Sequence, residues 1–124
     1  MLEDAIIAWH AAVDNRDAAA AREAVTDPVD VSGPRGAGPI PAAEFVTWVF
    51  DSGIRLRPVS WHPVTADTMV VEQEATWPTD GAVTAPTKVA TIFRVRDGAV
   101  TLAHRFTDLD TALRAATPAA QDLT

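Results

Sequence analysis

The sequence predicts an α+β domain in which helices come first and an antiparallel sheet follows. Three observations carry this. Apolar residues near the N-terminus recur at helical spacing (Leu2, Ile6, Trp9, Val13). From Ile54 onward the alternation changes to period two. Asp97-Gly98 then joins two alternating runs and is the strongest short-range hairpin signal in the chain.

Each element follows from local chemistry. The first helix is broken by Asp14-Asn15-Arg16-Asp17, and Asp17 is placed to cap a second short helix from Ala18 to Val25. Asp27-Pro28 is expected to end it, because a residue before proline avoids helical angles. Val29 to Ser32 alternates as a short strand, and Gly33 to Pro39, rich in glycine and proline, reads as a loop. Pro41 suits the first turn of a third helix that runs to about Asp51, with Gly53 as its stop. Four strands follow: Ile54 towards His62, Thr68 to Trp77, Thr87 to Arg96, and Ala99 to Thr107. Asp108 caps a closing helix containing Leu109, Ala112 and Leu113. Consecutive hairpin strands pair antiparallel, and the resulting sheet must cover an apolar face with the preceding helices.

Length and composition narrow the function. The 124 residues make one domain, expected over residues 1–117, with a frayed tail from Pro118. Net charge is −7, and Lys88 is the sole lysine. Such a surface suits neither a phosphate backbone nor an anionic membrane, so neither nucleic acid nor membrane is an expected partner. Cysteine is absent, which excludes disulfides, thiolate metal sites and a cysteine nucleophile. The acidic start lacks the basic region of a signal peptide, and a cytoplasmic location is expected. His10, His62 and His104 lack metal-ligand spacing, and no phosphate-cradling glycine motif opens a helix, so neither metal nor cofactor is expected.

Ladder counting from the Asp97-Gly98 turn pairs Val95 with Val100, Phe93 with Leu102, Thr91 with His104, and Val89 with Phe106. All eight share one face unless a bulge intervenes. His104 then has two readings: a histidine bonded to Thr91, or a proton shuttle in a cavity. Gln73 interrupts the apolar set Met69, Val71, Ala75, Trp77 and must find a backbone or ligand partner. Glu72 and Glu74 share the other face, either solvated or as a carboxylate pair. Trp9, Phe45 and Trp48 lie on helical apolar faces, as core residues or as walls of a pocket.

Several stretches together resemble the nuclear transport factor two-like superfamily, and within it the SnoaL-like branch. They are the opening helix ending in Val13-Asp14-Asn15-Arg16-Asp17, the run Val25 to Val31, and the loop Gly33-Pro34-Arg35-Gly36. Val89 to Gly98 and Arg105 to Leu109 complete the likeness. The resemblance implies a cone of curved mixed sheet wrapped around three helices, with an apolar pocket at its wide end and a homodimer through the outer sheet face. Members include ketosteroid isomerases, polyketide cyclases, epoxide hydrolases and non-enzymatic binders, so fold alone does not assign function.

The family's catalytic sets do not carry over. Trp9, Ser32 and Thr91 stand where a ketosteroid isomerase has its tyrosine, base aspartate and second acid. Gln73, Ala75 and Arg105 stand where limonene epoxide hydrolase has charged partners. Asp30 is left as the one carboxylate at a position the family points inward. Arg105 points inward by the resemblance, whereas ladder counting selects His104; a bulge would reconcile the two. The resemblance therefore implies a pocket for a small apolar molecule, walled by Trp9, Phe45, Trp48 and Trp77. Ser32, Gln73 and Thr91 would supply polar contacts. Asp30 would act as base, and Arg105 or His104 would hold developing negative charge. The alternative is a non-catalytic binding or dimeric assembly module.

Overall fold

Helix α1 (Leu2–Asp14) forms where the helical repeat was strongest, and it buries Ile6, Trp9 and Val13 along one stripe. It belongs to a computed structural model that describes residues 2–33, 36–76 and 87–116. Trp77 and the expected tail lie outside the described residues. Helix α2 (Ala18–Glu23) begins as expected, with the Asp17 carboxylate accepting from the Ala20 N–H at 3.0 Å.

Strand β1 (Val25–Gly33) starts four residues earlier than the sequence predicts, and Pro28 lies within it. The proline is tolerated because β1 loses register with its neighbour between Val25 and Asp30, where no ladder N–H is needed. Strand β2 (Gly36–Ile40) replaces most of the expected loop and pairs antiparallel with β1. As the sheet's edge strand it has one partner only, so Pro39 interrupts no second ladder. Helix α3 (Ala42–Ser52) starts after Pro41 and stops at Gly53, whose φ of 69° is left-handed. Its first N–H, at Ala42, is met by Asp27 Oδ1 at 3.1 Å.

Strands β3 (Arg55–Pro63), β4 (Thr68–Thr76), β5 (Thr87–Arg96) and β6 (Ala99–Phe106) form the antiparallel meander, and α4 (Leu109–Ala116) closes the described chain. Strand order is β2-β1-β6-β5-β4-β3, with β1 parallel to β6. The sheet is mixed and open, and both faces are apolar at the centre. On the inner face Val29, Val31, Met69, Val71, Phe93 and Val100 meet α1–α3. On the outer face Val70, Ala90 and Ile92 meet Ala112 of α4, with Leu102 and Phe106 packed alongside.

Asp97 and Gly98 both have positive φ, as a two-residue hairpin requires. Next to the turn, Arg96 pairs with Ala99 and Val95 with Val100, as counted. A bulge between Arg94 and Val95 then shifts the register. Thr91 faces Arg105 instead of His104, Ile92 faces His104, and Ala90 faces Phe106. The eight-residue face expected from simple counting is therefore corrected beyond Val95. Arg105 joins the inner face and His104 the outer one.

Candidate functional site

A buried polar chain crosses the inner core. His10 projects from α1, Gln73 from β4 and Thr91 from β5, all three buried and Gln73 completely so. The Ile6 carbonyl can only accept, so His10 Nδ1 carries the proton that it receives at 2.8 Å. The other ring nitrogen of the neutral imidazole is then an acceptor, and the Gln73 amide N–H donates to it at 2.8 Å. Thr91 Oγ1 donates to Gln73 Oε1 at 2.7 Å. Burial lowers the affinity of His10 for a second proton, and the Ile6 hydrogen bond only partly opposes this. Phe93 and Trp61 lie edge-on to the imidazole, at ring separations of 5.6 and 6.1 Å. Among the described residues no buried side-chain polar atom lacks a partner.

His10 is also part of the lining of an open groove of about 740 Å³ between α1 and β3. Ile7 and Ala11 form one wall; Leu56, Pro58 and Trp61 form the other. Half of the Ile7 surface is exposed. Two ion pairs mark the rim: Arg55 with Asp14 at 3.6 Å, and Arg57 with Glu74. The groove thus offers apolar walls, a neutral imidazole in its lining and charge at its edge.

Asp30 and His104 meet elsewhere. Asp30 alternates with the inward-facing Val29 and Val31, so its carboxylate lies on the outer face, 2.9 Å from His104 Nε2. Ser32 is in register with His104 on the same face. The inward orientation that the resemblance implied for Asp30 and Ser32 is corrected: the β1 pleat turns the valines in. Arg105 sits across from Thr91 on the opposite side of the sheet from this pair, and burial lowers its pKa. The structure therefore joins Asp30 to His104 and separates both from Arg105, Thr91 and Gln73. On the outer face of β3 and β4, Ser60 Oγ donates to Glu72 at 3.2 Å and lies 2.8 Å from His62 Nε2.

The described aromatic residues expected as pocket walls lie in the inner core or against it. Trp9 stacks on Phe45 with centroids 5.1 Å apart, and both belong with Trp48 to the inner core. None of the three is among the groove's lining residues. His10, Ile7 and Trp61 line it instead. Sequence reasoning considered His10 only as a metal ligand, yet a signal was present. His10 follows Ile6 by four on an apolar helix stripe, just as Gln73 interrupts an apolar strand. Two polar residues on facing apolar surfaces are expected to satisfy one another. Among the described residues no cluster of three or more histidine and acidic side chains is disposed to hold a metal ion.

No protein-family model matches this sequence, and no curated protein matches it either. Solved structures are similar over nearly the whole chain. A protein of unknown function from Cytophaga hutchinsonii, described as NTF2-like, is 11% identical with a TM-score of 0.74, covering 87% of this chain and 90% of its own. TerC, co-crystallised with polyporic acid, is 22% identical with a TM-score of 0.72, covering 93% and 96% respectively. RV0760c from Mycobacterium tuberculosis, in complex with estradiol-17beta-hemisuccinate, is 18% identical with a TM-score of 0.70, covering 86% and 92%.

Proposed function

We propose that this chain, which has the nuclear transport factor two-like fold, binds a small apolar molecule in the groove between α1 and β3. The observation that carries the proposal is the groove itself: about 740 Å³, bounded by Ile7, Ala11, Leu56, Pro58 and Trp61, with His10 in its lining. A volume of that order holds a ring compound of several fused or linked cycles. Solved neighbours hold polyporic acid and an estradiol hemisuccinate, which supports a ligand of that size and character.

Any proton handling in this groove falls to His10. It lines the groove and its protonation state is set by defined partners. Asp30, expected as the base, pairs with His104 on the other face, so in this proposal it takes no part in the groove's chemistry. An assembly role would draw on the outer face, where the apolar centre around Ile92, Leu102 and Phe106 already packs against α4.

The test is occlusion. Ala11 is exposed and lines the groove, so Ala11→Trp fills it without entering the core. Binding of a fluorescent apolar probe, N-phenyl-1-naphthylamine, is expected to weaken by about tenfold or more in that variant, the loss of ~1.4 kcal/mol or more of apolar contact. Unchanged binding would place the ligand elsewhere.

A further inference from the structure

We propose that the groove selects weakly basic anions on an apolar body, such as carboxylates or sulfonates, and takes up a proton on His10 when one binds. This rests on the groove being the binding site, as argued above, and adds the chemical class of its ligand.

The polar chain has a direction. In the neutral state it runs Thr91 O–H to Gln73 carbonyl, and Gln73 N–H to His10 Nε2. Both ends of Gln73 are bonded, and its two ends have nearly the same shape. Suppose Nε2 gains a proton. The amide turns over, its carbonyl accepts from Nε2–H, and its N–H donates to Thr91 Oγ1. The threonine hydroxyl rotates to release its own proton from the chain. Every link survives in reverse, and Nδ1 keeps its bond to Ile6. A buried histidine normally loses hydrogen bonds when it charges; here both ring nitrogens keep theirs, and only the Thr91 hydroxyl proton has to find another acceptor. The obstacle that remains is the missing counter-charge.

The surrounding groups do not supply it. On α1, Asp14 is at the rim and already paired with Arg55. On β3, the charged groups at the groove are Arg55 and Arg57. On β4, Glu74 is paired with Arg57. From β5 the neighbours are Thr91 and Phe93, which are neutral. On β6, Arg105 stands across from Thr91 and adds positive charge. No carboxylate bonds to His10 in the described structure. An anion entering between Ile7 and Trp61 supplies what is lacking. Proton uptake by His10 and anion binding are then coupled, and each strengthens the other.

The experiment compares two probes of similar apolar body on the wild-type protein: the anion 8-anilinonaphthalene-1-sulfonate and the neutral N-phenyl-1-naphthylamine. Calorimetry in buffers of different ionisation enthalpy reads the protons exchanged, and ring nitrogen NMR reads the state of His10. Expected is uptake of roughly 0.5–1 proton per bound anion near pH 7, an anion affinity about tenfold or more tighter at pH 6 than at pH 8, and no proton exchange with the neutral probe. In Gln73→Glu, a carboxylate beside the imidazole charges it in advance, so anion-linked uptake is expected to vanish. Anion binding without protonation of His10 overturns the inference and leaves the groove as a binding site. Failure of both probes to bind overturns the groove reading and this inference with it.

Discussion

At the scale of single residues, Gln73 is the side chain on which the inner core depends most. It is fully buried and makes two hydrogen bonds to groups that have little access to water. Gln73→Leu keeps much of the volume but leaves His10 Nε2 and the Thr91 hydroxyl without partners. Each unsatisfied buried group costs about 1–3 kcal/mol, so the variant is expected to lose ~2–4 kcal/mol in urea denaturation with an unchanged slope. Replacing both ends of the contact is expected to recover part of that loss. The double variant His10→Leu with Gln73→Leu therefore should be more stable than the sum of the two singles by at least about 1 kcal/mol. Simple additivity would show that the chain contributes nothing as a unit.

At the scale of elements, turns and bulges decide which side chains meet. Gly98 has a φ of 80° and open space around the position of a Cβ, so substitution there is opposed by backbone conformation alone. Gly98→Ala is expected to cost ~1 kcal/mol and Gly98→Asn distinctly less, measured as the shift in thermal midpoint. The hairpin was legible because its turn chemistry is local. Caps at Asp17 and Asp108 and the stop at Gly53 were legible for the same reason, since each depends on one side chain or one backbone angle. The bulge at Arg94/Val95 is not marked by the alternation of β5 or β6; only the family resemblance, which turned Arg105 inward, called for one. That single slip moved Arg105 in and His104 out. Strand β2 was missed because Gly36, Gly38 and Pro39 argue for a loop, and only the free edge of β1 makes a strand of them. The site was therefore half legible: Gln73 and Thr91 stood out as polar residues in apolar strands, while their partner His10 required knowing which helix packs on which strand.

At the scale of the whole molecule, the helices and α4 bury both faces of one sheet, and the cost of that burial falls on the one histidine inside it. His10 is held neutral because its charged form is desolvated. Its folded pKa lies below the value of about 6.5 that it has in the unfolded chain. The unfolded state therefore binds more protons in the interval between the two values, and stability rises with pH across that interval. In the other direction, stability is complete above about pH 6.5 and declines as pH falls through the window below it, with a slope approaching ~1.4 kcal/mol per pH unit from this group. A second decline is expected at lower pH. Asp67, bonded by the Thr65 and Thr68 hydroxyls, and Asp108, bonded by the Thr111 N–H, both have lowered pKa values. Their contributions persist above the ordinary carboxylate range and vanish as those carboxylates are protonated. The two windows separate by mutation. His10→Gln keeps a hydrogen-bonding side chain that does not titrate, so the loss of stability that begins below about pH 6.5 should flatten while the decline in the carboxylate range, below about pH 4, remains. Urea midpoints of the wild-type chain and this variant, taken across that range, check both statements. Parallel pH profiles for the two proteins would mean that the imidazole inside the sheet is already free to charge, and that its burial exerts no control over folding.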